Sequence, residues 1–480
     1  MSQKFGTLKK RLVSGVFFSA GGQIGRHAVQ LLTVALLARM LGPGPLGVMA
    51  LAAVIMAFAH LLVDLGLGQS VIREKEISQT QQMTVFGLNL AAALVLYPVF
   101  DAAAPSLGSL LGIEALGWVL PVVAPGFLLV AVMQSRRAML ARAFRFRAVA
   151  AIELSSIVVG SGTSLFLTWR GWGLSGLAYG SLVQNLAWSA GVVLAAGLPK
   201  RAPFSPKSVV PLLRFGGHMT GFGVVNYVAR RTDKLIVGGF MGAVALGLYE
   251  KAYALMMLPV THLTGSIGQV MYPALSKVRD KPERFSFLYL GAVRKIAGLS
   301  FPAAAFCIVA ADEIVLLVLG DRFAGAGEIF AVLSLIMAFQ PIVGTFGWLY
   351  MTTGKTGRMF AWGAFGALVV SIAFFLGARR GSPVDVARAY AYASIALLPF
   401  STLIACRTAG IPLRAFLGRI LYPCLAAASA WAVGAALPSL GLPATFFVVG
   451  GVYGAVYGLM DSRAFFDLIR FLNPARAFET

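Results

Sequence analysis

Segments of membrane-spanning length follow one another along nearly the whole chain, and this pattern restricts the fold more than any other feature. About 20 apolar residues in a helix cross the ~30 Å hydrocarbon core of a bilayer. Scanning the 480 residues at that length predicts fourteen spans. Their approximate ranges are 12–38, 46–68, 82–104, 115–134, 148–168, 173–196, 215–240, 246–272, 292–311, 326–350, 359–377, 386–406, 419–437 and 443–460. We therefore predict an all-α integral membrane protein with about fourteen transmembrane helices.

Composition and the short connections agree with this class and exclude others. Of all residues 58% are hydrophobic and 12% are charged, which is about half the charged share of a typical soluble domain. No connection between predicted spans is long enough to fold as a soluble catalytic domain. The net charge of +22 comes from basic residues placed between apolar segments. Such a distribution is typical of topology-determining loops and does not indicate nucleic-acid binding.

The distribution of Lys and Arg predicts the orientation. With the N-terminus in the cytoplasm, 29 of the 40 basic residues fall in cytoplasmic tails and loops, and six fall on the opposite side. Because positively charged loops remain in the cytoplasm, we expect both termini to be cytoplasmic. One cytoplasmic run, RRAMLARAFRFR from Arg136 to Arg147, interleaves cations with phenylalanine. We expect this run to lie on the membrane surface against anionic lipid.

An internal repeat relates the two halves of the chain. The stretch LGPGPLGVMALAAVIM from Leu41 aligns with MGAVALGLYEKAYALM from Met241, at an offset of 200 residues. Seven positions are identical over 28 ungapped residues, among them Gly42/Gly242. Because a unit of six spans keeps both halves in the same orientation, the repeat favours two six-helix lobes around a shared site. We predict lobes at residues 1–207 and 208–410, followed at 411–480 by an additional helix pair and a cytoplasmic tail.

Several charged residues lie inside predicted spans, where lipid would exclude them. An unpaired Arg, Lys or Asp at a helix centre costs roughly 2.5–3.5 kcal/mol, so a group of them predicts a protein-lined or water-filled cavity. Span one contains Arg26, which has no carboxylate in its own span. Spans seven and eight contain Arg230, Arg231, Asp233, Lys234, Glu250 and Lys251. We interpret the cavity that these residues predict as the functional site.

The order of several motifs resembles a known transporter family. The first repeat carries LLTVALLARMLGPGPLGVMALAAVIMAFAHLLVDLGLGQSVIREKEI, and the second carries NYVARRTDKLIVGGFMGAVALGLYEKAYALMMLPV followed by QVMYPALSKV. A third stretch, QPIVGTFGWLYMTTGKTGRMF, begins at Gln340. Together they look like the polysaccharide and lipopolysaccharide flippases of the multidrug/oligosaccharidyl-lipid/polysaccharide (MOP) exporter superfamily. The resemblance covers roughly the first 360 residues.

The resemblance implies an exporter that moves an undecaprenyl-diphosphate-linked oligosaccharide from the cytoplasmic to the periplasmic leaflet of the bacterial inner membrane. It implies alternating access between two lobes, with the lipid-linked oligosaccharide, membrane lipids and glycan polymerase or assembly proteins as partners and no cofactor. Arginine suits such a substrate, because its planar guanidinium donates paired hydrogen bonds to phosphate oxygens. We predict four substrate-binding residues, in which Arg230 and Lys234 share one helix face. They are Arg26, Arg230, Lys234 and Lys251.

Structural roles remain open for these and neighbouring residues. Asp233 can pair with Arg230 or Arg231 and hold span seven against its neighbour. Glu153, near the cytoplasmic start of span five, is interpreted as interfacial. A sugar-stacking platform from Tyr227, Tyr249 or Tyr253 is a further alternative.

Ion coupling would require titratable groups in the same region. Asp64 follows His60 by one helical turn, and such a pair is suited to proton coupling. A histidine packed at a helix contact is the structural alternative. The candidates for ion coupling are Asp64, His60, Asp233 and Glu250.

Other function classes lack their sequence features. A multidrug cation antiporter of the same superfamily is the alternative function, but it would need carboxylates where span one offers Arg26. A membrane-embedded glycan polymerase or glycosyltransferase would need a soluble acidic motif or a large external loop. Phosphate-binding GxxxxGK loops, hydrolase triads and zinc-ligand spacings are also missing, and the three cysteines lie in apolar runs without CxxC spacing. We therefore expect a transporter with no enzymatic activity and no metal.

Overall fold

The computed structural model describes residues 25–74, 76–437 and 441–472, and within these ranges the chain is helical with no β-strand. Seventeen α-helices lie in the described part, most of them joined by short turns. They are α1 (25–41), α2 (Pro43–Asp64), α3 (Leu67–Arg73), α4 (Gln79–Leu110), α5 (Leu116–Val123), α6 (Gly126–Arg142), α7 (Phe146–Trp169), α8 (Gly173–Ala196), α9 (Val210–Lys277), α10 (Pro282–Val309), α11 (Ala311–Leu319), α12 (Ala326–Thr352), α13 (Thr356–Ala378), α14 (Pro383–Ala409), α15 (Leu413–Ala435), α16 (Leu442–Met460) and α17 (Ser462–Leu472).

Twelve helical segments of the described chain are long and apolar enough to cross a bilayer. Eleven of them coincide with one predicted span each. The twelfth, Arg230–Thr261, covers the junction between predicted spans seven and eight. The start of predicted span one and the end of the predicted tail both lie outside the described residues. The prediction of an all-α membrane protein is confirmed.

The longest helix, α9, is interrupted at a glycine. Its 68 residues would extend about 100 Å at about 1.5 Å per residue, roughly three times the thickness of the hydrocarbon core. Gly242 breaks the helix with φ 81° and ψ −177°. Gly42, which separates α1 from α2, has nearly the same backbone with φ 78° and ψ −172°. Glycine adopts this region readily because it has no Cβ, so the two turns agree with the repeat at an offset of 200 residues.

Helix α2 lies alongside the first part of α9 over its whole length. A Cβ added to Gly47 would lie 1.8 Å from the carbonyl oxygen of Ala243, and one added to Gly247 would lie 2.0 Å from that of Pro43. At the other end of α2, a Cβ on Gly66 would lie 2.3 Å from the carbonyl oxygen of Gly216. These glycines therefore let two backbones touch at both ends of the helix pair.

The chain divides into two compact units after Gly247. In the first unit, a cluster of buried apolar side chains joins α3, α4 and α6 to the start of α9. A second cluster joins α6 to α8. The lobe boundaries expected from the repeat, at 207/208 and 410/411, stay predictions.

In the second unit, α10 packs against α12, α15 and α16. The buried hydroxyls of Tyr289 and Thr345 lie 2.8 Å apart and join α10 to α12. Arg294 of α10 donates to Asp461 at 2.5 Å, and the second Asp461 oxygen accepts from the backbone amide of Ala464 at 3.0 Å. Asp461 therefore fixes the start of α17 against α10.

Candidate functional site

A cluster of four charged side chains lies among the helices of the first unit. Glu153 of α7 accepts hydrogen bonds from Arg26 of α1 and from Arg137 of α6, with a distance of 3.2 Å between Arg137 Nη2 and Glu153 Oε1. The Glu153 side chain is 13% exposed, whereas those of Arg26 and Arg137 are 29% and 44% exposed. The carboxylate therefore lies inside, and the two guanidinium groups are more open to their surroundings.

Local packing positions these three side chains. Helix α1 packs against α7 at this point, since a Cβ added to Gly25 would lie 3.7 Å from the Leu154 side chain, an ordinary van der Waals distance. This contact places Arg26 beside Glu153, the neighbour of Leu154. The Arg137 guanidinium lies 5.7 Å from the centre of the Trp188 ring on α8, at a distance typical of cation–π contacts. Four helices therefore meet at the cluster.

Asp64 supplies the fourth charge, at a break between α2 and α3. Leu65 and Gly66 adopt left-handed backbone with φ 50° and 66°, which ends α2 at Asp64. The Asp64 carboxylate accepts from the amide of Gly68 at 3.2 Å, inside the first turn of α3. Its side chain also hydrogen-bonds Gln134 of α6 and lies close to Arg137. The two guanidinium groups thus lie near two carboxyl groups.

His60 occupies a helix contact near this cluster. Its ring packs edge-on against Phe127 of α6 at 5.6 Å between centroids. Its Nε2 atom is buried and has no hydrogen-bond partner among the described residues. The position agrees with the packing role that the sequence left open. The ion-coupling role of His60 and Asp64 stays a prediction.

The predicted cations of α9 differ in their access to solvent. Arg230 is exposed and donates from Nε to Asn226 at 3.3 Å. Lys234 is 7% exposed, and the neighbouring Asp233 is 6% exposed. The helix therefore presents Arg230 outward and buries Lys234 one turn later. Their joint binding of one substrate stays a prediction.

The remaining predicted residues lie on both sides of the break in α9. Arg231 stacks 5.9 Å from the Tyr227 ring, whose hydroxyl donates to the Val54 carbonyl at 2.8 Å. Glu250 and Lys251 are partly buried. The alternative aromatic platform contains Tyr249, which is fully buried and stacked on Tyr253.

The basic run Arg136–Arg147 covers the end of α6 and the start of α7, and it does not lie wholly on the surface. Arg136 is 4% exposed, so the surface prediction is wrong for this residue. Arg142 donates to the Val71 carbonyl at 3.1 Å, and Arg145 donates to the Ala195 carbonyl at 2.8 Å. These acceptors are among the last carbonyls of α3 and α8, which lack partners within their own helices. Part of the run therefore caps helix ends.

Sequence reasoning missed Arg137, and it missed the contact between Glu153 and Arg26. The two partners of that contact are 127 residues apart, so no spacing within one helix could reveal it. The available signal was weaker: each residue is a charge within a predicted span or near its end. Within the described residues, no group of three or more His, Cys, Asp or Glu side chains could hold a metal ion.

Comparison with known proteins adds a family and a fold. The family model described as "Polysaccharide biosynthesis protein" matches residues 36–327. The chain is 24% identical to the lipopolysaccharide biosynthesis protein WzxC of Escherichia coli (strain K12) over 386 residues, which cover 79% of this chain and 78% of WzxC.

Solved structures share the helical arrangement. The lipid II flippase MurJ in an inward closed conformation matches with a TM-score of 0.75 at 15% identity, covering 95% of this chain and 100% of that one. An inward-facing multidrug resistance MATE family transporter of the MOP superfamily matches with a TM-score of 0.60 at 16% identity, covering 80% of this chain and 95% of that one. At such low identity the likeness establishes the fold.

Proposed function

Because this chain belongs to the polysaccharide biosynthesis protein family, we propose that it carries an undecaprenyl-diphosphate-linked oligosaccharide from the cytoplasmic to the periplasmic leaflet of the bacterial inner membrane. The family is a flippase family of the MOP superfamily, so the chain is a multi-pass transporter of polysaccharide precursors and not an enzyme. The name of WzxC refers to lipopolysaccharide biosynthesis, and MurJ is a lipid flippase. Both names support a lipid-linked substrate.

The pair of arginines at Glu153 is the observation that carries the substrate assignment. A lipid-linked sugar diphosphate brings negative charge that hydrocarbon excludes, so the protein must supply cationic donors in place of water. Arg26 and Arg137 provide two guanidinium groups next to each other among membrane-length helices, and both remain partly exposed. Each can bind a phosphate through two parallel hydrogen bonds.

The proposed substrate-binding residues act at different stages. Arg26 and Arg230 are open enough to meet a diphosphate in the present conformation. Lys234 is buried, so it reaches substrate after α9 moves, and Lys251 is partly buried in the second part of α9. We assign the initial phosphate contact to the pair Arg26 and Arg137 and to the exposed Arg230.

Alternating access between two lobes moves the substrate across the membrane, with both termini in the cytoplasm. Coupling ions, where the cycle uses them, bind at Asp64, His60, Asp233 or Glu250. Glycan polymerase or assembly proteins receive the product. The orientation of the termini and the candidates for ion coupling rest on the positions of charged residues in the sequence, and the other steps extend the family assignment.

A cation antiporter is the second candidate, and one observation favours it: the fold matches a multidrug resistance transporter. Carboxylates suited to cation binding are present at Asp64 and Glu153. Both lie beside arginine in the structure, however, and this arrangement favours an anionic substrate. If adding a lipophilic cation makes protons cross the membrane of vesicles that contain the purified protein, the result would support the antiporter instead.

Export of glycan by cells tests the flippase proposal. Replacing Arg26 or Arg230 with alanine should lower surface polysaccharide at least tenfold, since each charge-assisted hydrogen bond contributes about 1.5–3 kcal/mol. The measurement is quantitative labelling of surface glycan in a strain that depends on this chain, alongside the amount of protein in the membrane.

Arg279→Ala provides the matched control, because Arg279 is 65% exposed and pairs with its neighbour Asp280. This variant should export normally. Normal export by both R26A and R230A would refute the proposed binding residues.

A further inference from the structure

We propose that Glu153 is a resident counter-anion, which occupies the phosphate position between Arg26 and Arg137 in the empty transporter and is displaced when a diphosphate binds. The inference rests on the proposed function and adds a regulatory element to the same site. It predicts that Glu153 lowers the affinity for diphosphate and thereby favours release.

The geometry of the Glu153 carboxylate resembles that of a bound phosphate. One oxygen accepts from Nη1 of Arg26 and the other from Nη2 of Arg137. Carboxylates and phosphates use the same acceptor geometry towards guanidinium groups. The carboxylate therefore joins two donors, from α1 and α6, that a single diphosphate could bind together.

The arginines have donors left over. A guanidinium group carries five N–H donors, and each of these arginines uses one terminal nitrogen to donate to Glu153. Both arginine side chains are more exposed than Glu153 itself. A ligand can thus approach the guanidinium groups from their open side while Glu153 still holds them.

Charge balance explains why binding requires displacement. Two arginines face Glu153, and Asp64 lies close to Arg137, so carboxyl groups already offset the guanidinium charge before any ligand arrives. Asp64 remains attached to the α3 amide of Gly68 and stays beside Arg137. Glu153 is the displaceable member, because its carboxylate accepts from the two side chains that the phosphate would take. When Glu153 blocks part of the population, the apparent dissociation constant for the ligand rises by the reciprocal of the fraction that stays open.

Trp188 offers a built-in signal for this exchange. The Arg137 guanidinium lies 5.7 Å from the Trp188 ring, and Nε1 of Trp188 has no hydrogen-bond partner among the described residues. Binding of an anion to Arg137 should change the fluorescence of this indole. Comparison with Trp188→Phe assigns the signal among the seven tryptophans.

The test is titration of the full-length purified protein with inorganic pyrophosphate, followed by tryptophan fluorescence. Glu153→Gln keeps the shape of the side chain and removes its charge, so it should bind pyrophosphate about tenfold more tightly than the original chain, a typical coupling between sites. R26Q should bind more weakly. Equal or weaker binding by E153Q would overturn the proposal.

Asp461→Asn is the matched control. Asp461 forms a partly buried ion pair with Arg294 in the second unit, with side chains 26% and 20% exposed. Loss of a comparable carboxylate there should leave the pyrophosphate affinity unchanged, so a tenfold gain in D461N would also overturn the proposal. If E153Q does not fold, E153D serves instead: its shorter carboxylate competes less well and should still tighten binding.

Two further experiments are needed. One distinguishes a polyprenyl diphosphate from a lipid headgroup as the ligand, and the other distinguishes failure of the Glu153 exchange from failure of the proposed function. In nanodiscs, a polyprenyl diphosphate should compete with pyrophosphate, and phosphatidylglycerol at the same mole fraction should not; equal competition would overturn the assignment to diphosphate. If R26Q loses pyrophosphate binding while E153Q gains none, the exchange is wrong and the proposed function stands. If R26Q binds pyrophosphate and exports glycan normally, the substrate site itself is wrong.

Discussion

Helix α2 and the part of α9 that lies 200 residues later begin alike and end differently. Both follow a glycine with φ near 80°, at Gly42 and Gly242. After Asp64, α2 stops and two left-handed residues lead into α3. The equivalent position in α9 is Thr264, and there the helix continues to Lys277.

The two polar side chains at this position explain the difference. The Asp64 carboxylate is an acceptor, and it takes a hydrogen bond from the amide of Gly68, four residues ahead in a new helix. The Thr264 hydroxyl donates to the carbonyl of Val260, four residues back in the same helix, at 2.8 Å. One repeat position therefore ends a helix in the first copy and continues it in the second. In the first copy the break also brings Asp64 close to Arg137.

The feature that the two copies share is the close glycine contact between α2 and α9, and adding a side chain at either glycine should disrupt it. Gly47→Ala and Gly247→Ala each place a Cβ within about 2 Å of a backbone oxygen, and because backbone must move, each should cost about 3 kcal/mol. Thermal unfolding in detergent, followed by tryptophan fluorescence, measures the loss. Gly217→Ala is the control, since no atom lies within 4 Å of its added Cβ. A clear difference between G47A and G247A would contradict the equivalence of the two glycines.

The divergent part predicts unequal effects of a glycine substitution in the two copies, because α2 ends just before Gly66 whereas α9 is continuous at Gly268. Gly66→Ala combines a left-handed backbone with a Cβ 2.3 Å from the Gly216 oxygen, so we expect a loss of about 2 kcal/mol. Gly268→Ala lies in continuous helix, where alanine gains up to about 1 kcal/mol, and its Cβ would meet the Trp348 ring at 3.1 Å. That variant should be close to neutral in the same unfolding assay. Similar losses in both would mean that the break at Gly66 does not distinguish the copies.

The smallest expected effect concerns the polar position itself. Asp64→Ala removes the acceptor at the start of α3 and should cost about 1 kcal/mol, together with faster hydrogen exchange at the amides of α3. Thr264→Val removes a hydroxyl that serves its own helix and should stay within about 0.5 kcal/mol. Amide hydrogen-exchange rates measured by mass spectrometry distinguish the effects of the two substitutions. An equal change in local exchange at both sites would remove the explanation given for the break.

Features that depend on neighbouring residues were predictable from sequence. The turn at Gly242 follows from apolar segments too long for one span and from its match to Gly42. The span boundaries follow from hydropathy. Features that depend on distant partners were not predictable: Arg26 and Glu153 are 127 residues apart, and their contact depends on how α1 packs against α7. Asp64 likewise lies one turn from His60 in sequence, but the left-handed residues after it turn its carboxylate to α3 and α6.

The close contact at Gly47 and Gly247 can also act as a pivot about which α2 rotates relative to the first part of α9. From Gly47 to its last residue, Asp64, α2 extends about 25 Å at about 1.5 Å per residue. A tilt of only ~10° about the glycine contact would carry that end by ~4 Å, enough to part the adjoining Gly66 from Gly216. Such a rotation leaves the pivot almost stationary and concentrates displacement where Asp64 and Arg137 meet, so a small angular change at one face of the protein would be felt chiefly at the charged cluster.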